Sequence, residues 1–267
     1  MTGGTDERAS KGFDTSVPNS ARVWNYWLGG KDGYPVDCEA GEQYRQVYPA
    51  IVDVARAGRR FLVRSVRYLA GAAGIRQFLD VGTGLPTLQN THEIAQSVAP
   101  ECRVVYVDND PLVLAHARAL LASSPEGATD FVDADMHRPG EILRAAATVL
   151  DFSRPVGLTL TGVLGHVQEY EDARSIVKQL LDGLVPGSHL VVADSVSVGA
   201  AHRKANERYR NTGAVPYLLR SEEEIRGFFD GLELVDPGVV PVTRWRCGRE
   251  PAAAEIGMLG GVGLKTR

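Results

Sequence analysis

Hydrophobic residues follow two different rhythms along this chain, and the change comes near residue 70. From Pro18 to Leu69 apolar positions recur at helical spacing, with arginines spread over the polar sides. Val17-Pro18-Asn19-Ser20 reads as a helix start, and Gly29-Gly30 ends that first short helix. Further helices are expected over Cys38 to Tyr48 and Ala50 to Leu69. Beyond them, short apolar runs alternate with amphipathic stretches. Strands are expected near 77–81, 103–108, 129–133, 156–161 and 188–193, and helices near 87–98, 111–122, 139–149 and 169–182. Such alternation predicts an α/β fold: a doubly wound, mostly parallel sheet with helices on both faces. After Asp194 the pattern loosens into a charged helix ending near Asn211-Thr212-Gly213. Ser221 and Glu224 then read as a capping box, and Leu232 to Pro241 and Ile256 to Leu264 as an antiparallel pair closing the sheet. The expected organisation is a disordered tail over 1–13, a helical extension or lid over 14–70, and one α/β domain over 71–267.

Two of the apolar runs end in chemistry. Phe78-Leu79-Asp80-Val81-Gly82-Thr83-Gly84 finishes in an acid and a double-glycine turn, and Val104-Val105-Tyr106-Val107-Asp108-Asn109 finishes in an acid that opens a helix. This is the layout of a nucleoside-type cofactor site at the carboxyl edge of a parallel sheet. Gly82 and Gly84, without a Cβ, let the backbone turn tightly and approach a ligand. Asp108 is placed to accept two ribose hydroxyls, with Asn109 beside it in the same site. A dinucleotide site wants a third glycine, where this chain has Thr87 after Pro86, and no Tyr-x-x-x-Lys pair follows the fourth strand. An NAD-linked oxidoreductase is therefore a weak reading.

The acid-x-Gly-x-Gly pattern instead resembles the S-adenosylmethionine site of class I methyltransferases, whose Rossmann-like sheet has seven strands. The resemblance implies that Asp80, directly or through water, and the loop Gly82-Thr83-Gly84 hold the amino-acid end of the cofactor, and that Asp108 holds the ribose. It also implies that Asp135 accepts the adenine amino group and Met136 packs on the ring. Both Asp14 to Asp32 and Phe78 to Thr87 are similar to one bacterial branch of these enzymes, long catalogued as a domain of unknown function. That branch implies the cofactor but no methyl acceptor.

On the acceptor side, methyl transfer from a sulfonium needs alignment above all, and a base only where the acceptor loses a proton. The fourth strand lacks the Asn/Asp-Pro-Pro-aromatic motif of enzymes that methylate base amines or glutamine, which favours a small-molecule acceptor with an O, N or C nucleophile. Thr161 and Val163 are expected to line the cofactor, and His166 is the candidate base, or else caps the following helix. In Trp24-Asn25-Tyr26-Trp27-Leu28-Gly29-Gly30-Lys31, the tryptophans share a helical face and are expected to dock it on the core. Tyr26, Gly30 and Lys31 are expected at the ligand, Tyr26 also as a catalytic group. Asp194 is a further catalytic candidate; His202 is a weaker acceptor-side one, and Tyr209 and Tyr217 are expected to line the same cleft. A rival reading is a non-catalytic S-adenosylmethionine-binding sensor or partner-binding module.

Composition trims these options. A net charge of −4 argues against a grip on nucleic acid, and the best basic cluster, Arg203, Lys204, Arg208 and Arg210, reads as a solvated helix face. Cys38, Cys102 and Cys247 are too widely spaced for a disulfide frame or zinc site, and no histidine pair suggests a metal. No apolar leader or membrane span is apparent, so a cytoplasmic protein is expected. Oligomeric state has no sequence signal.

Overall fold

The computed structural model describes residues 15–86, 89–120, 122–248 and 256–267. The tail expected over 1–13 lies outside them. Three helices come first, α1 (Ser20–Trp27), α2 (Pro35–Val47) and α3 (Ile51–Gly71). Asn19 caps α1 by accepting the Ala21 N–H. The helix ends in a Schellman turn: the Gly30 N–H donates to the Asn25 carbonyl, and that of Gly29 to Tyr26. Gly29 takes φ +88° there, a conformation glycine adopts without strain. A buried ion pair, Arg22 to Asp37 at 3.2 Å, ties α1 to α2. Asp37 also accepts the N–H groups of Asn19 and Tyr34, so its charge is well compensated.

The sheet follows, as β1 (Gln77–Val81), α4 (Thr91–Val98), β2 (Arg103–Asp108), α5 (Pro111–Leu120), β3 (Ala128–Asp133), α6 (Pro139–Ala146) and β4 (Gly157–Thr161). Then come α7 (Tyr170–Asp182), β5 (His189–Ser195), α8 (Ala200–Arg210), α9 (Glu222–Gly227), β6 (Glu233–Leu234), β7 (Val240–Pro241) and β8 (Met258–Leu264). Strand order is β3-β2-β1-β4-β5-β8-β6, with β7 also paired to β8. The strands β1 to β5 are parallel, and β8 runs antiparallel to β5 with Ser195 opposite Met258. Alternating side chains divide the core. Phe78, Val104, Tyr106 and Val191 join the cluster of α3, while Leu79, Val105, Val107 and Val192 join that of α6 and α7. The chain winds outward in opposite directions from β1 and β4. In open parallel sheets, ligands settle beyond the carboxyl ends at that switch point.

The parallel strands lie where the apolar runs put them, to within two residues. The helix after the glycine turn starts late, at Thr91, because Asn90 and Glu93 form a capping box; residues 87 and 88 of its expected span lie outside the described residues. The sheet has eight strands instead of seven. A turn at Gly238, φ +82°, splits the run from Leu232 to Pro241 into two short strands. The Ser221–Glu224 capping box is present.

Candidate active site

A cavity of about 430 Å³ opens along the carboxyl edge of the sheet, with α1 and α3 across it. Strand order lays its lining out in sequence. Asp135 and Met136 follow β3; Asp108 and Asn109 end β2; Asp80, Gly82, Thr83 and Gly84 end β1; Thr161, Val163 and His166 end β4; Ser195 ends β5. The sheet thus brings the expected residues of four loops to one wall.

The turn after β1 needs its glycines. Gly82 and Gly84 have φ of +72° and +68°, and a Cβ on Gly82 would stand 2.3 Å from the Val163 side chain. Asp108 clamps this turn: Oδ2 accepts the Gly84 N–H at 2.9 Å, while Oδ1 accepts those of Asn109 and Asp110 at 2.9 and 3.0 Å. A carboxylate offers about four acceptor positions, so a single hydroxyl can still be accepted, on Oδ2, where two were expected. Burial raises the Asp108 pKa against the pull of these N–H groups.

Asp80 is buried with both oxygens engaged, by Thr91 and Thr159 hydroxyls each at 2.6 Å. It fastens α4 and β4 to β1 and supports the turn from beneath. Burial pushes its carboxyl up, opposed by those hydroxyls and the Arg59 charge. At the far end, Asp135 Oδ1 accepts the His137 N–H at 2.9 Å and contacts the ring Nδ1 at 2.7 Å. Its Oδ2 has no partner among the described residues.

Arg59 was missed by the sequence reading. On α3, it is the lining's one lysine or arginine among the described residues, and its charge acts on the buried carboxyl of Asp80. Its guanidinium donates to the Gln89 carbonyl at 2.6 Å. The available signal was its register: Ala55, Arg59, Leu62 and Val66 share one helical stripe, where a charge is out of pattern.

At the β4 end, His166 Nδ1 lies 3.1 Å from the Pro216 carbonyl. A carbonyl only accepts, so Nδ1 carries the proton and the neutral ring keeps a bare Nε2. Burial lowers the His166 pKa, opposed by the Pro216 bond. Its ring stands edge-on to Tyr217, centroids 5.0 Å apart. Tyr217 in turn donates its hydroxyl to Asp194, whose pKa burial pushes up to about 7.

Several expected positions fall elsewhere. Asp194 is fully buried behind the wall and reaches the cavity through Tyr217. Tyr26, Gly30 and Lys31 do not line the cavity. The Tyr26 hydroxyl donates to Glu42 at 3.0 Å, Gly30 abuts the Asn25 side chain, and Lys31 is exposed. Paired glycines here end a helix. His202 stacks on Tyr48 with centroids 4.3 Å apart. Trp24 and Trp27 dock α1 as expected, the latter donating to the Gly41 carbonyl at 3.0 Å, yet both also line the cavity, as do Tyr209 and Tyr217. Arg203, Lys204, Arg208 and Arg210 are exposed on α8.

Known proteins share this fold. The family model described as S-adenosyl methyltransferase matches residues 6–266. A DUF574 family protein from Streptomyces avermitilis is 45% identical with TM-score 0.91, covering 95% of this chain and 100% of its own. A candidate methyltransferase from Thermobifida fusca is 41% identical with TM-score 0.87, covering 96% of this chain and 98% of its own. An O-methyltransferase family protein from Burkholderia thailandensis, 13% identical with TM-score 0.53 over 91% of this chain and 64% of its own, shares the fold alone. No curated protein matches the chain. The chain belongs to the S-adenosyl methyltransferase family, and its cofactor is S-adenosylmethionine.

Proposed function

We propose that the protein transfers a methyl group from S-adenosylmethionine to a small-molecule acceptor. The observation that carries this reading is the order of groups along one cavity: an Asp135 carboxylate oxygen without a partner among the described residues, the Asp108-clamped turn Gly82–Gly84 with the Arg59 guanidinium beside it, and the bare nitrogen of His166. The residues present fit the donor. Asp135 Oδ2 would accept the adenine amino group and Met136 would pack on the ring; Asp108 Oδ2 would take one ribose hydroxyl, with Asn109 alongside. The turn from Gly82 through Thr83 to Gly84 would pass the methionine portion, and Arg59 would pair with its carboxylate. Thr161 and Val163 border the reacting end. Bound there, the donor supplies an activated methyl carbon and leaves as a thioether.

The chain's own contribution is alignment and exclusion of water. The helices of the 14–70 extension serve as the lid: Ala21 of α1 lies over Gly84, and Trp24 and Trp27 continue the roof toward β5. His166 is the proton acceptor where the nucleophile carries one. Titration of the intact protein with S-adenosylmethionine and S-adenosylhomocysteine should give binding heat. Labelled donor should then mark the low-molecular-mass fraction of a cell extract. No heat would refute the donor site; label confined to macromolecules would refute the acceptor class.

A further inference from the structure

We infer that the acceptor is an uncharged, flat aromatic compound methylated on a ring hydroxyl, a reading that rests on the donor site proposed above. The donor half of the cavity contains all its carboxyl groups and its arginine. The β4–β5 half is different: its walls come from Trp24, Trp27, Tyr44, Tyr209, Tyr217 and His166. No Lys, Arg, Asp or Glu lines that half among the described residues. The charges of α8 show how this is arranged. Arg203, Lys204, Glu207, Arg208 and Arg210 all face solvent, while Asn206 and Tyr209 face inward.

Aromatic contacts make the wall continuous across three helices. Trp24 meets Trp27 edge-on at 5.7 Å, Trp27 meets Tyr44 at 5.1 Å, and Tyr44 meets Tyr209 at 6.3 Å. Aromatic faces bury a flat ring well, whereas an anion or ammonium placed there would lose its hydration with no counter-charge in return. The polar groups available are neutral. Asn206 is held by its bond to the Tyr217 carbonyl at 2.8 Å. The Tyr209 hydroxyl is itself buried, toward the Arg22–Asp37 pair, so Tyr209 offers the cavity its ring and not its polar end.

His166 supplies the remaining requirement. A phenolic oxygen attacks the methyl carbon; the new O–C bond forms as the S–C bond breaks, with its electron pair retained by sulfur. The phenolic proton passes to Nε2, and the Pro216 carbonyl stabilises the imidazolium through Nδ1–H.

The test uses the intact protein loaded with S-adenosylhomocysteine and a panel of neutral phenols (1-naphthol, 2-naphthol and 7-hydroxycoumarin). These should quench tryptophan fluorescence, while 2-naphthol-6-sulfonate should bind at least tenfold more weakly. With labelled donor, the phenols should yield O-methyl products. H166Q should bind donor product and phenol as before yet slow transfer by about 100-fold, and the acid limb of the wild-type kcat/KM profile should vanish. Donor binding without phenol quenching or methylation, or equal binding of the sulfonate, overturns the acceptor inference alone. Failure to bind the donor overturns the underlying function and this inference with it.

Discussion

Replacing Arg59 by methionine offers the sharpest test of how the donor is held. Methionine keeps most of the aliphatic stem that packs on α3 and removes the guanidinium. A hydrogen-bonded charge pair contributes about 1.5–3 kcal/mol, so R59M should weaken S-adenosylmethionine binding roughly 10- to 150-fold. The guanidinium also holds the Gln89 carbonyl, and losing that bond could loosen the loop before α4 and lower affinity by itself. A thermodynamic cycle separates the two effects. Wild-type protein and R59M are each titrated calorimetrically with S-adenosylmethionine and with its decarboxylated form. If Arg59 pairs with the donor carboxylate, decarboxylation should cost the wild type most of that factor and cost R59M almost nothing. R59K should recover part of the discrimination, because a point charge replaces a planar fork. Equal losses on decarboxylation in both proteins would refute the assignment, whatever the absolute affinities.

Three further outcomes are expected. D108N must turn an amide N–H₂ toward either Gly84 or the N–H groups of Asn109 and Asp110, so donor-product affinity should fall more than tenfold by calorimetry, with a stability loss of about 1–3 kcal/mol. G82A forces a side chain onto Val163 at a positive φ; it should abolish donor binding and destabilise by about 1–3 kcal/mol in denaturant titration. Asp194 has a folded-state pKa raised to about 7, so between its unfolded value and that point the native state binds the extra proton. Its contribution is fully present at acid pH and is lost as pH rises toward 7. D194N should remove this slope and gain stability above pH 7, on the order of 4 kcal/mol at most. A stability difference between D194N and wild type that is flat from pH 4 to 8 would contradict the raised value.

The sheet and donor loops were legible in the sequence because each rests on local information. A run such as Phe78 to Val81 is apolar, ends in an acid and meets glycines within three residues; backbone turns and strand tips are short-range features. The half of the cavity beyond β4 was legible only in part. Arg59, Tyr44 and Met258 reach the cavity from α3, α2 and β8, and no spacing along the chain foretells that convergence. Tyr26, Gly30 and Lys31 misled for a related reason: Gly-Gly after a short helix suits both a ligand and a Schellman turn, and the hydrogen bonds of Gly29 and Gly30 choose the turn. Asp194 pointed correctly to a strand tip, but its side chain turns beneath the floor, and only Tyr217 connects it to the cavity. Asp108 ends β2 on the cavity wall, yet its accepting capacity could be counted only once the three N–H groups around it were in view.

The eight residues of α1 form one stiff rod resting at one point on the glycine turn, through Ala21, and at another on the aromatic wall, through Trp24 and Trp27. The Arg22–Asp37 pair holds its first turn to α2, and the Trp27 bond to the Gly41 carbonyl holds its last. A body shared by the two halves in this way would link their occupancies energetically, since a guest that shifts it changes the space left for the other. By thermodynamic reciprocity, the factor by which the spent donor tightens acceptor binding must equal the factor by which the acceptor tightens the spent donor.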